Sequence, residues 1–157
     1  MNPNNGTFAY ATYIATTPEK LWEALTTGDF TRKYWFGREV RSDWEEGSAV
    51  VFVDESGQTT DAGTVLKCEP YRLLSYTLKC VHDDTEYVRQ PTVTIRLIPM
   101  ESAVKLVLKH EWLSPGAFRG EEDGFIGIDN GWPAILSNLK SLLETGRALP
   151  AVTLQDH

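Results

Sequence analysis

The sequence predicts an α+β domain in which a curved antiparallel sheet wraps around one long C-terminal helix, with two short helices after the first strand. Three observations carry this. Between Arg38 and Trp112 apolar residues recur at every second position. Turn signals at Glu46-Gly47, Ser56-Gly57, Glu69-Pro70, Asp83-Asp84 and Met100-Glu101 divide that interval into antiparallel hairpins. From Asp129 to Thr145 the apolar spacing changes to steps of three and four, giving the longest apolar stripe in the chain. A sheet with one apolar face needs a cover, and that helix is the element able to supply it.

Each element has a local reason. Thr7 to Ala15 reads as the first strand because it is rich in β-branched and aromatic residues. Thr16 or Thr17 offers an N-cap hydroxyl, Pro18 suits a first helical turn, and Leu21, Trp22 and Leu25 follow at helical spacing. Gly28 is expected to break this helix, and Asp29 to cap a second from Phe30 to Phe36, with Phe30, Tyr34 and Trp35 on one face. The interval from Arg38 to Trp112 is expected to form a meander of about six strands. In two of them Val93, Ile95 and Leu97 alternate with Thr92, Thr94 and Arg96, and Val104, Leu106, Leu108, His110 and Trp112 alternate with Lys105, Lys109 and Glu111. One face should be covered and one wet. In the last helix Trp132, Ile135, Leu136, Leu139, Leu142 and Leu143 form the stripe. Asp129 or Asn130 is the expected cap, Pro133 falls within or next to the first turn, and Gly146 stands where a left-handed C′ residue belongs. One helix lying in a curved sheet, closed at one end by two small helices, leaves a cavity between the layers.

Length and charge narrow the function classes. The 157 residues fit one domain, with an ordered core expected from about Thr7 to Leu149, and no internal repeat or low-complexity tract divides it. Apolar residues make up 41% and charged residues 24%, a globular balance. Fifteen Lys and Arg against 22 Asp and Glu leave a net charge of −7, so neither nucleic acid nor an anionic membrane surface is an expected partner. The start, MNPNNGTFAY, has no basic region followed by an apolar one, and no run of about eighteen apolar residues occurs, so a cytoplasmic location is expected. Cys68 and Cys80 are too few for a disulfide framework or a zinc cluster and read as small buried or half-buried hydrophobes. His82 and His157 lack partner spacing, and the acidic turns at Asp43, Glu45, Glu46 and at Glu121, Glu122, Asp123 read as solvated loops. Phosphate-loop, HExxH and GxSxG patterns are missing, so no catalytic residue, metal or cofactor is assigned.

Five fragments, in order, carry a resemblance: PEKLWEALT from Pro18, YWFG from Tyr34, DWEEGS from Asp43, GTVLKCEPYRLLSYTL from Gly63 and NGWPAILSNLKSLLETG from Asn130. Together they resemble the START-like, or SRPBCC, superfamily with its helix-grip fold, shared with the birch-pollen allergen. Within it the sequence is similar to the C-terminal domain of activators of the heat-shock protein 90 (Hsp90) ATPase. The resemblance runs from Thr7 to Leu149 and implies a hydrophobic pocket under the long helix. Members of the superfamily bind lipids or polyketides, cyclise aromatic rings, act as hormone receptors or serve as co-chaperones, so fold alone does not select a function.

The expected ligand-lining residues are Trp35, Phe36, Phe52, Tyr76, His110, Trp112, Trp132, Leu136 and Leu139. Trp35, Trp112 and Trp132 are placed facing inward at different ends of the cavity, where a ring offers large apolar area with a polar edge, although the same property makes Trp an ordinary core filler. His110, in phase with Leu106, Leu108 and Trp112, should present a neutral imidazole to the interior, since burial disfavours its charged form. Tyr76 could offer a phenol to the same space. The first reading is binding of a small hydrophobic molecule by a monomer or weak homodimer. The alternative is a co-chaperone-like interaction domain with a chaperone as partner, and a further alternative is a cyclase-like enzyme using His110. Against the co-chaperone reading, the chain is too short to carry the activators' separate N-terminal domain, so little stimulation of an Hsp90 ATPase is expected from it.

Overall fold

The computed structural model describes residues 6–118 and 127–149. Strand β1 (Gly6–Ile14) leads into helix α1 (Pro18–Thr26), whose N-cap Thr17 accepts a hydrogen bond from the Lys20 amide at 3.2 Å. Leu21, Ala24 and Leu25 bury one face of α1. Helix α2 (Gly28–Tyr34) differs from expectation at both ends. Gly28 opens it instead of separating it from α1, Thr27 takes the N-cap position, and Asp29 lies in the first turn. The helix stops at Tyr34, short of Phe36, because Trp35 leaves helical geometry and Phe36 and Gly37 adopt φ of 51° and 76°. The glycine has a packing reason, since a Cβ at position 28 would sit 3.0 Å from the Val40 carbonyl oxygen. The buried Thr31 hydroxyl joins the same two segments, accepting from the Val40 amide at 2.9 Å and donating to the Gly28 carbonyl at 3.3 Å.

Strands β2 (Glu39–Ser42), β3 (Ala49–Val53), β4 (Thr59–Glu69), β5 (Leu73–Thr77), β6 (Lys79–Cys80), β7 (Thr92–Pro99) and β8 (Val104–Leu113) follow. They pair antiparallel in the order β1-β8-β7-β5-β4-β3-β2, and the two-residue β6 pairs with β4. The eleven-residue β4 changes partner along its length. Asp61 and Ala62 pair with Cys80 and Lys79 of β6, whereas Val65 to Glu69 pair with Tyr76 to Leu73 of β5. Gly63 lies at the change, where the Thr77 carbonyl comes so close that a Cβ would overlap it.

The inward face of β7 and β8 is as the alternation predicts up to His110, with Val93, Ile95, Leu97, Val104, Leu106, Leu108 and His110 buried. The alternation then fails. Gly6 of β1 pairs with Leu113 and Phe8 with His110, so β8 spends one more residue than β1 over this step, which is a β-bulge. Trp112 takes φ of 64° within it. One inserted residue exchanges the two faces of a strand. Leu113 therefore turns inward at 4% exposure, and Trp112, expected inside, lies half-buried with the Arg89 guanidinium 4.1 Å from its ring centre.

Helix α3 (Ile128–Thr145) begins at Gly127, whose φ of 93° makes it the N-cap in place of Asp129 or Asn130. Pro133 lies inside the helix in its second turn, and Gly146 closes the end in the left-handed conformation, its amide donating to the Leu142 carbonyl at 2.9 Å. Trp132, Ile135, Leu136 and Leu139 are buried along the stripe, with Leu142 and Leu143 partly so. This is the helix-grip arrangement that the sequence predicts. Asn138, which the apolar pattern passed over, is buried on the same helix. It donates to the Tyr34 carbonyl at 3.2 Å and accepts from the Leu149 amide at 2.6 Å, tying α3 to α2 and to the chain beyond it. Asn138→Ala should cost about 2 to 3 kcal/mol in urea titration, since it removes both bonds and strands a buried carbonyl; a loss below about 0.5 kcal/mol would deny it that role.

Among the described residues no helix is long and apolar enough to cross a membrane, and no group of three or more His, Cys, Asp or Glu is placed to hold a metal ion. The acidic turn Glu121 to Asp123 and His157 lie outside the described residues. His82 falls in a turn, as expected. Cys68 is half-buried but Cys80 is exposed, because its short strand lies at the end of the β4 pairing; the expectation of burial fails for that thiol.

Candidate functional site

A chain of aromatic rings runs through the interior beside α3. His110 on β8 lies 5.9 Å from Trp132 on α3, Trp132 lies 5.1 Å from Trp35 at the end of α2, and Trp35 lies 4.5 Å from Phe52 on β3. Phe52 in turn lies 6.4 Å from Tyr76 on β5, and Tyr76 lies 6.2 Å from Trp44. The Trp132–Trp35 and Trp132–His110 contacts are edge-to-face, at interplanar angles of 71° and 77°, the arrangement that ring quadrupoles favour.

At the His110 end this chain borders a cavity of about 260 Å³. Its deep wall is Trp35, His110, Leu113, Trp132 and Ile135. Its rim carries Arg38, Asp61, Lys79, Cys80, Asp83 and Tyr87, contributed by the segment after α2, by β4, by β6 and by the loop after β6. Two of the rim charges pair directly. Arg38 lies 3.6 Å from Asp61, and the Tyr87 hydroxyl donates to Asp83 at 2.6 Å while the Lys79 ammonium stands 5.8 Å from the Tyr87 ring. Hydrogen bonds from Thr85 and Tyr87 hold the Asp83 carboxyl below its ordinary pKa, with a smaller contribution from Lys79.

Of the nine residues expected to line a ligand site, Trp35, His110 and Trp132 border this cavity. Phe52, Tyr76, Leu136 and Leu139 are fully buried in the packed core behind it, and Phe36 is partly buried against that core. Burial raises the Tyr76 hydroxyl pKa above its ordinary value, so the phenol stays protonated. Trp112 is carried away from the interior by the bulge. The three tryptophans therefore do not surround one space: two meet at one end and the third faces out. The rim residues escaped notice because each is an ordinary polar residue in its own segment: the β4–β6 pairing sets Asp61 opposite Cys80, and Arg38, Asp83 and Tyr87 reach the rim from other segments.

The Trp132 indole N–H donates to His110 Nδ1 at 2.9 Å. An indole nitrogen can only donate, so Nδ1 is the unprotonated nitrogen and the proton resides on Nε2. Nε2 is enclosed and has no hydrogen-bond partner among the described residues. Burial pushes the His110 pKa down to about 4. Its effect on stability has a definite sign. Between the unfolded value near 6.5 and the folded value, only the unfolded chain takes the proton, so stability falls as pH drops through that window and does not change above it. Urea titrations at pH 7 and pH 4.5 should differ by about 2 to 3 kcal/mol more for the parent than for His110→Gln. Equal pH dependence in the two proteins would show that His110 ionises freely.

Comparison with known proteins adds to this geometry. A family model described as activator of Hsp90 ATPase homolog 1-like protein matches residues 15–144. No curated protein matches the sequence. Among solved structures, a protein from Mesorhizobium loti is 26% identical with a TM-score of 0.71, over 88% of this chain and 96% of the other. The Aha1 dimer from Colwellia psychrerythraea is 20% identical with a TM-score of 0.69, over 91% and 99%. An HSP90 activator from Plasmodium falciparum is 21% identical with a TM-score of 0.68, over 87% and 95%. At 20% and 21% identity the last two establish the shared fold.

Proposed function

The chain belongs to the activator of Hsp90 ATPase homolog 1-like family, and from that membership we propose that it acts as a protein-interaction domain on a chaperone of the Hsp90 class. The observation that carries the proposal is the extent of the family match, residues 15–144, which runs from the end of β1 to the last turn of α3. This changes the order of the two readings drawn from the sequence. Chain length had counted against a co-chaperone role, but the Plasmodium falciparum structure named as an HSP90 activator is covered over 95% of its length by this chain. A unit of this size is therefore no obstacle to the role. Size-exclusion chromatography of the protein with the Hsp90 of the same cell, at micromolar concentrations, should show co-migration; separate elution across a tenfold range of salt would remove the proposal.

A second reading keeps its place because of one feature that a protein-docking role does not use. The cavity against α3 is walled by Trp35, Trp132, Ile135 and Leu113, which supports binding of a small apolar molecule. The two roles occupy different parts of the molecule, outer surface and interior, and do not exclude each other. A catalytic use of His110 has less support. With Nδ1 engaged by Trp132 and its pKa near 4, the ring is a weak base at neutral pH.

A further inference from the structure

We propose that the outer face of the sheet, across β1, β8, β7, β5 and the end of β4, is the surface by which this domain docks on its chaperone partner, and that the partner meets it with an acidic surface. The inference rests on the chaperone-docking reading above and adds where the contact lies and what chemistry it selects.

The face follows from the alternation. In β7 and β8 the residues in phase with Val93, Ile95, Leu106 and Leu108 pack into the core shared with α3, so their neighbours in sequence point away from it. The pairing register carries that outward set from strand to strand. Lys105 stands between Tyr13 of β1 and Ile98 of β7, Arg96 between Val107 of β8 and Leu73 of β5, and Lys109 between Ala9 of β1 and Thr94 of β7. Lys67 of β4 continues the last of these rows, opposite Ser75.

The charge of this face is opposite to that of the whole. Lys67, Arg96, Lys105 and Lys109 share it in a chain whose net charge is −7. Among the described residues Lys67, Arg96 and Lys109 make no ion pair. Of the acids in the same rows, Glu69 is paired with Arg72 in the adjoining turn, which leaves Glu111 to oppose the cations. A positive patch on an acidic protein steers an acidic counterpart to itself and turns other faces away.

Between the cations the surface is low and partly apolar. Ala9 and Ala11 are exposed, and the Ser75 and Thr94 hydroxyls bond to each other at 3.0 Å. Tyr13 is 51% exposed, with the Lys105 ammonium 5.5 Å from its ring centre, and Tyr is a residue type that anchors protein contacts. This mixture suits a protein. A polyanion would gain from the cations alone and be repelled by the rest of the chain. Strands about 4.8 Å apart and rows about 6.8 Å apart give a footprint about 20 Å across, the scale of a transient interface.

Isothermal titration of the intact protein into the Hsp90 of the same cell tests this. Arg96→Glu with Lys109→Glu should weaken binding at least about tenfold, and the parent's affinity should fall more steeply than the variant's between about 50 and 300 mM salt. Tyr13→Ala, which leaves the charge alone, should weaken it about fivefold or more. Lys20→Glu with Lys33→Glu makes the same change in net charge at exposed positions on α1 and α2, off the face, and should stay within about twofold of the parent. If the urea transition shows that the reversed protein does not fold, Arg96→Gln with Lys109→Gln carries the comparison. Equal affinity of parent and face variant, or equal losses in face variant and control, overturns the docking face and leaves the chaperone reading in place. Failure of the parent to bind overturns both. Retention of duplex DNA or phosphatidylserine vesicles, or a dimer, that the face reversals abolish while chaperone binding persists would give the face to a polyanion or a second copy and overturn the proposal.

Discussion

Gly63→Ala should prevent the protein from reaching its native fold, or destabilise it by about 4 kcal/mol or more. A Cβ at this position would overlap the carbonyl of Thr77, which is backbone and cannot rotate away. Relief requires β4 to part from the end of β5, and the strain falls where β4 changes partner between β5 and β6. Thr77 also accepts the Thr64 amide through its hydroxyl at 2.9 Å, so the two strands are pinned on the residue next to the clash. Set against a typical total of roughly 5 to 15 kcal/mol, such a loss leaves little folded protein. Gly116→Ala is the control, because a Cβ there meets nothing within 4 Å; it should shift the urea midpoint by less than about 0.5 kcal/mol. If both variants gave the same midpoint, the close approach of Thr77 to β4 would not exist in solution.

The second large effect is at Leu139. It is fully buried at the centre of the α3 stripe, between Leu136 and Leu143, and its truncation opens a void that the surrounding sheet cannot collapse to fill. Leu139→Ala should cost about 2 to 5 kcal/mol from the lost transfer energy and the cavity together. A loss below roughly 1 kcal/mol in urea titration would take Leu139 out of the core.

The long helix and the β7–β8 pair were legible in the sequence because their burial is strictly periodic, and a period of 3.6 or 2 is what a string of residue types records best. The Thr17 cap and the Gly146 stop were legible for a similar reason, since each acts on residues within one turn of itself. Trp112 was misplaced because nothing in the run of residues from Val104 to Leu113 announces an inserted residue; the bulge exists only in relation to β1. The cap of α3 was misassigned because two good capping residues follow Gly127, yet the turn takes φ of 93°, which the glycine alone among the three adopts without strain. At the candidate site, His110 was picked out by strand alternation and Trp132 by helical spacing, but their hydrogen bond joins a strand to a helix 22 positions away, and with it the tautomer of His110. The Arg38–Asp61 pair lay hidden for the same reason.

The steady-state ATPase rate of the Hsp90 from the same cell, measured against increasing concentrations of the intact protein, decides whether this domain acts on an Hsp90-class chaperone. That rate should rise saturably at micromolar concentrations, and the rise should be retained in His110→Phe, whose substitution lies in the interior. A rate that stays flat through the same range, with protein whose fold is verified by its urea transition, would contradict it and leave the interior cavity as the domain's working part.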